Sequence, residues 1–259
     1  MTYCVGIQVD EGLVLASDTR TSASFDDVRT YAKTHRFVFP GERCLVLMSA
    51  GNLGTTQAVL SRLQRDLDEG AGINLRRPGR LFEIAEYIGG LLVAAQAQVN
   101  RGGRLPAVNV EATMILAGQI AGEPPGLLLI YPLGNVIAAS PETPYLQIGE
   151  SKYGKPILDR IIRSSTSLDD AARCALVSLD STIRSNVSVG LPIDLSLIRR
   201  DALELAESCR LEEHSPLYQA IRDSWAEQLN TAMGRLPRWP WEPPSTGAVR
   251  HQQAAQQQQ

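Results

Sequence analysis

At 259 residues, 44% hydrophobic and 20% charged, the chain has an ordinary globular composition with enough apolar surface for a sizeable core. Its net charge of −3 argues against a general nucleic-acid-binding surface, and no apolar run approaches the roughly 18 residues a membrane helix needs. The opening MTYCVGIQVDEG lacks the basic region and long apolar core of a secretory signal, so the expected setting is soluble and cytoplasmic.

From the N-terminus, residues 3–9 and 12–17 are short apolar runs separated by the turn pair Asp10-Glu11, the pattern of two strands. Residues 21–29 form a polar loop, residues 30–39 a further strand pair ending at the Pro40-Gly41 turn, and residues 43–50 a clear strand. Asn52 is a suitable N-cap for a helix running to Asp68, with Ala58, Val59, Leu63 and Leu67 on one stripe. A basic loop over 74–80 leads to a second helix over 81–99, whose Leu91, Leu92, Val93, Ala94, Ala95 and Ala97 suit either a core or an interface. Strands are expected over 110–120, 126–133 and 136–139, and helices return over 156–163 and 168–184. A strand over 193–199 and a helix over 216–233 complete the order. Blocks of strands separated by helix pairs predict an α+β layered domain with two sheets face to face between helix layers. One domain is expected over 2–235. Residues 236–259 are rich in Pro and Gln and are expected to be disordered, with Trp239-Pro240-Trp241 as a docking element or a cluster lying against its own domain or a neighbouring subunit.

The four cysteines form no CxxC pair and the three histidines no HxxxH or HExxH spacing, so neither a disulfide framework nor a metal site is expected. The chemistry lies elsewhere. Thr2 follows the initiator methionine directly, and removal of Met1 would place a hydroxyl and a free α-amine on one residue, the nucleophile–base pairing of an N-terminal threonine. A Met-Thr start is common, so the residues that follow decide the case.

Four features fall in order near the N-terminus: Thr2, Ser17-Asp18-Thr19-Arg20, Lys33 and Ser49-Ala50-Gly51. Their order and spacing resemble the β-subunits of proteasomes and related N-terminal-nucleophile hydrolases. The opening MTYCVG and the segment SDTRTS are most similar to the bacterial ancestral β-subunit (Anbu) group. The resemblance covers about residues 2–200 and implies a four-layer αββα sandwich. It further implies that Thr2 is the nucleophile, that Asp18 pairs with Lys33, and that the Lys33 ammonium polarises the attacking oxygen. The neutral α-amine would take the proton, and the Gly51 N–H would donate to the oxyanion.

Arg20, Ser151 and Ser188 take supporting roles in this reading. Ser22 would offer backbone hydrogen bonds to an extended peptide and Asn52 and Leu53 would border a side-chain pocket, although these read equally as ordinary loop residues. Taken singly, the plainer readings are favoured: Asp18 as a strand-end turn residue, Lys33 as a solvated charge, Arg20 as a surface cation and Gly51 as a helix-entry glycine. Their joint order favours the functional reading. The chain also departs from the family pattern. Gly149-Glu150-Ser151 stands where a Gly-Ser-Gly segment is usual, and Ser185-Asn186-Val187-Ser188-Val189-Gly190 lacks the usual Asp. The expected function is therefore a threonine-type peptidase, with a catalytically weak or inactive proteasome-like scaffold as the alternative. A cysteine hydrolase built on Cys4 and His35 is a more distant reading. No cofactor is implied. The implied partners are a peptide or protein substrate and further copies of the chain in a ring or spiral, with no nucleic acid or membrane and no regulatory ATPase assigned.

Overall fold

The computed structural model describes residues 1–22, 28–100 and 109–242. Met1–Arg222 forms one compact unit and Asp223–Gln259 a second, each described by itself. The expected tail over 236–259 lies outside the described residues from 243 onward, as do residues 23–27 of the expected polar loop.

Two five-stranded antiparallel sheets carry the first unit. One has the order β10-β1-β2-β11-β12, from β1 (Tyr3–Val9), β2 (Gly12–Asp18), β10 (Tyr145–Gly149), β11 (Ile193–Arg199) and β12 (Glu207–Leu211). The other runs β5-β6-β7-β8-β9, from β5 (Thr34–Phe39), β6 (Arg43–Gly51), β7 (Ala112–Ile120), β8 (Gly126–Ile130) and β9 (Val136–Ala138). A short ribbon of β3 (Arg20–Ser22) and β4 (Val28–Thr30) joins them.

Alternation along the strands builds three apolar layers. Cys4, Leu13, Leu15, Val46, Met48, Ile115 and Leu127 fill the space between the sheets. Here Gly6 faces Leu127 so closely that an added Cβ would stand 2.6 Å from its Cδ1. Tyr3, Val5, Val14, Ala16 and Leu195 face outward onto α3 (Ser151–Ile161) and α4 (Leu168–Ser185), which contributes Ala171, Ala175 and Leu179. Leu45, Leu47, Met114 and Leu128 face α1 (Leu53–Asp68) and α2 (Leu81–Asn100) through Val59, Leu63, Ile84, Ile88 and Leu92. The layers therefore run α, β, β, α, as expected. Because the central strands are buried on both faces they read as continuous apolar runs, which made them visible in the sequence.

Several boundaries differ from the expectation. The buried face of α1 omits Ala58, which is exposed, and includes the polar Thr55, Thr56 and Asp66 beside Val59 and Leu63. Helix α3 starts at Ser151, five residues before Pro156, and carries that proline inside it. On α2, Leu92 and Ala95 are buried whereas Val93, Ala94 and Ala97 face outward, so that helix serves the core on one side only. Edge strands β10 and β12 were not expected. Four of the five β12 residues are exposed, leaving no apolar pattern to read. Tyr218 of helix α5 (Pro216–Gly234) is buried in the first unit and donates to Asp180 Oδ1 at 3.0 Å. In the second unit Trp239 and Trp241 stack on each other at 4.9 Å between ring centroids. No helix of the described residues is long and apolar enough to cross a membrane.

Candidate active site

The ends of strands from both sheets meet at one cleft of about 420 Å³, lined among others by Met1, Thr2, Lys33, Gly51 and Glu150. Thr2 immediately precedes β1, and its carbonyl accepts the Glu150 N–H at 2.8 Å. The register pairs Tyr3 with Gly149. Gly149 has φ +82°, and a Cβ there would lie 1.9 Å from the Thr2 carbonyl oxygen, so only glycine lets the two backbones come this close. Tyr3 anchors the same strand end from below. Its phenol oxygen lies 2.6 Å from Ser178 Oγ on α4 and accepts from the Gln147 side-chain amide on β10.

Asp18 closes β2 and is fully buried; Lys33 stands just before β5 in the opposite sheet and is 5% exposed. Lys33 Nζ donates to Asp18 Oδ1 at 2.7 Å and to the Arg20 carbonyl at 2.6 Å, and lies 3.4 Å from the Met1 carbonyl. An ammonium has three donors. Two are fixed by Asp18 and Arg20, and the third points to the peptide bond preceding Thr2. Asp18 also accepts the Tyr3 N–H at 2.9 Å and the Gly190 N–H at 3.2 Å, one on each oxygen. Burial pushes its carboxyl up from the ordinary range; the Lys33 ammonium and these N–H donors act against that. The ion pair thus bridges the two sheets, and Ser17 Oγ and Thr34 Oγ1, 2.8 Å apart, add a second bridge beside it.

Gly51 ends β6 with φ +110°, and a Cβ there would stand 2.4 Å from the Glu111 carbonyl oxygen. Glycine at this position is required by the close approach of β7, which the sequence reading as a helix-entry glycine did not anticipate. Asn52 then caps α1. Its Oδ1 accepts the Thr55 N–H at 3.0 Å and its Nδ2 donates to the Asn109 carbonyl at 3.0 Å. Both ends of the side chain are committed to structure. Replacing Asn52 by Ala should lower stability by about 1 kcal/mol while leaving the reactivity of Thr2 nearly unchanged. Urea unfolding and labelling rate measure both, and a lost rate at unchanged stability would restore its substrate-binding role.

The expected supporting residues divide. Arg20 Nη1 donates to the Val187 carbonyl at 3.0 Å, and its guanidinium covers Gly190, whose N–H reaches Asp18. Arg20 therefore clamps the 186–190 turn onto the ion pair. Ser188 contributes its N–H, donated to Asn186 Oδ1 at 2.9 Å, so Asn186 organises that turn in place of an Asp. Ser151 opens α3 and its carbonyl accepts from Gln147. Neither serine is among the cleft-lining residues. Ser22 pairs with Val28 in the ribbon, and the adjacent Thr21 lines the cleft. Glu150 is the lining residue the sequence reading had set down only as a departure. Cys4 is fully buried and not among the cleft-lining residues: burial pushes its thiol up, and it donates to the Ser49 carbonyl.

Comparison with known proteins agrees with this architecture. The model for the family described as "Proteasome subunit" matches residues 2–198. A proteasome subunit beta 2 of Pyrobaculum calidifontis is 26% identical over 198 residues, 76% of this chain and 88% of that protein. An Anbu (ancestral beta-subunit) structure from Yersinia bercovieri is 43% identical, with a TM-score of 0.86 over 92% of this chain and 99% of the other. A structure described as a helical assembly of the Anbu complex from Pseudomonas aeruginosa is 44% identical, with a TM-score of 0.86 over 94% and 98% of the two chains. A strand end led by Thr2, a buried Asp–Lys pair and a forced glycine at the facing sheet thus occur on a matching fold, and the chain belongs to the proteasome subunit family, among the Anbu-type N-terminal-nucleophile hydrolases.

Proposed function

We propose that the chain is a threonine-type peptidase that cleaves amide bonds through an acyl-enzyme on Thr2, after removal of Met1. The observation that carries this reading is the third donor direction of Lys33, aimed at the residue-1 carbonyl beside Thr2 while Asp18 and Arg20 hold the other two. Met1 is 60% exposed, which supports its removal. The hydroxyl proton of Thr2 passes to its own neutral α-amine as Oγ attacks the substrate carbonyl. Lys33 stabilises the oxygen as it gains charge, and the Gly51 N–H receives the carbonyl oxygen of the tetrahedral intermediate. The amine returns the proton to the leaving nitrogen, leaving an ester that water hydrolyses. The chain acts as a self-associating assembly, a reading supported by its family and by the helical assembly described for the Pseudomonas aeruginosa protein.

Intact mass spectrometry with an epoxyketone or β-lactone probe tests this. The wild type should lack Met1 and gain one probe mass, and Thr2→Ala should gain none. Retained Met1, or an adduct that persists in Thr2→Ala, would overturn the reading. One observation favours the scaffold alternative: Ser151 and Ser188 stand outside the cleft lining, so hydroxyl support for the nucleophile is altered. That alternative predicts no adduct at any pH on a chain that starts at Thr2.

A further inference from the structure

Glu150 departs from the family pattern, and its surroundings give it a use. It stands between β10 and α3 with φ −78° and ψ 67°, in the N-cap position of α3, yet its side chain makes no capping bond. Its N–H fixes its backbone beside Thr2, and it lines the cleft with Thr2 and Lys33. Only 15% of the side chain is exposed. The carboxylate oxygen Oε2 is buried and accepts no hydrogen bond among the described residues, and it forms an ion pair at 3.6 Å with Lys152 Nζ, on a side chain that is 69% exposed. A buried acceptor without a donor is costly, so a donor that enters the cleft beside it would be favoured.

We infer that the Glu150 carboxylate holds the α-ammonium of the chain once it begins at Thr2, and so sets the pH at which the proposed nucleophile becomes active. The inference rests on the threonine reading above. The amine must be neutral to accept the hydroxyl proton, and a carboxylate beside it favours the charged form. The charged and titratable groups that face the terminus are Asp18 from β2, Lys33 and Tyr31 from the segment before β5, and Glu150 from the β10–α3 turn, itself paired with Lys152 of α3. Helix α1 contributes Leu53 and Thr56, neither of which is ionisable. Asp18 is already committed to Lys33, Tyr3 and Gly190, which leaves Glu150 as the anion with unused acceptor capacity. In the chain bearing Met1 the terminal amine is pushed down overall, by burial first and then by Lys33, and Asp18 and Glu150 act the other way.

The amine can be titrated without any peptidase activity. The full chain is released from an N-terminal fusion so that it begins at Thr2. The pH dependence of trace acylation of its α-amine is then read from the mass of the N-terminal peptide. Glu150→Gln should lower the amine pKa by about one unit. Lys152→Gln should raise it by a few tenths, because a cation that competes for the carboxylate is gone. Opposite shifts from two neighbouring substitutions are not what a general loosening of the turn would give. Epoxyketone labelling of Glu150→Gln at pH 7 should then rise about five- to tenfold over wild type. An amine pKa that is unchanged or raised in Glu150→Gln overturns the inference. A lowered pKa with no labelling in either protein upholds the contact and overturns the nucleophile assignment instead.

Discussion

Lys33→Ala is expected to slow covalent labelling of Thr2 by about 10²- to 10³-fold and to destabilise the fold by about 3–5 kcal/mol. The first effect follows from losing the only lysine ammonium among the described cleft-lining residues. The second follows from Asp18, which is fully buried and would lose its 2.7 Å partner. The two can be separated. In Lys33→Ala/Asp18→Asn no uncompensated charge remains in the interior, so stability should largely return while labelling stays lost. Their pH dependence should differ as well. In Lys33→Ala burial acts on Asp18 unopposed by the ammonium, so its folded-state pKa stands above the unfolded value and the native state binds the extra proton. Stability then falls as pH rises through the interval between the two values, and is recovered in acid. The double variant lacks that slope. Denaturant unfolding from pH 4 to 8 with labelling rates at each pH measures both, and full reactivity in Lys33→Ala would remove the electrostatic role.

Gly149→Ala should be nearly as severe for a different reason. A Cβ at this residue meets backbone, 1.9 Å from the Thr2 carbonyl oxygen, and φ +82° adds the strain of a left-handed conformation. Backbone cannot swing aside as a side chain end does, so β1 and β10 must separate where Thr2 is held. We expect a stability loss of about 3 kcal/mol and a labelling rate lower by about 10²-fold, the scale associated with a misplacement of about 1 Å. Gly41→Ala is the control. It has φ +72° with nothing within 4 Å of the added Cβ, so it should cost only about 1 kcal/mol and leave labelling intact. Equal effects from the two substitutions would mean that backbone strain alone, not the approach to Thr2, explains the glycine.

What the sequence revealed and what it hid follow one physical division. Strands buried on both faces, such as β6 and β7, carry long apolar runs and were read almost to the residue. So was the α1 N-cap, whose Asn52 has a local signature. Edge strands β10 and β12 escaped because an edge strand is bonded on one side and half solvated, and β12 shows only Leu211 buried. Pro156 misplaced the start of α3, since local rules put proline at a helix's first turn and cannot see tertiary packing that carries a helix through it. Asp18, Lys33 and Gly51 were visible by order and resemblance, and their convergence depends on the sandwich bringing two sheets to one edge. Glu150 was visible only as a departure, because an unsatisfied carboxylate is a property of surroundings and not of spacing.

The two sheets meet face to face, and their separation is also a working dimension of the cleft. Thr2 and Asp18 hang from one sheet, Lys33 and Gly51 from the other. The interior between them acts as a caliper, with Gly6 against Leu127 among the contacts that set its jaws. A close-packed layer transmits an added methyl group as displacement rather than absorbing it. Side chains that touch no substrate therefore gauge the gap between the proposed attacking oxygen and the proposed oxyanion donor, and the tolerance of that chemistry would be inherited by the core.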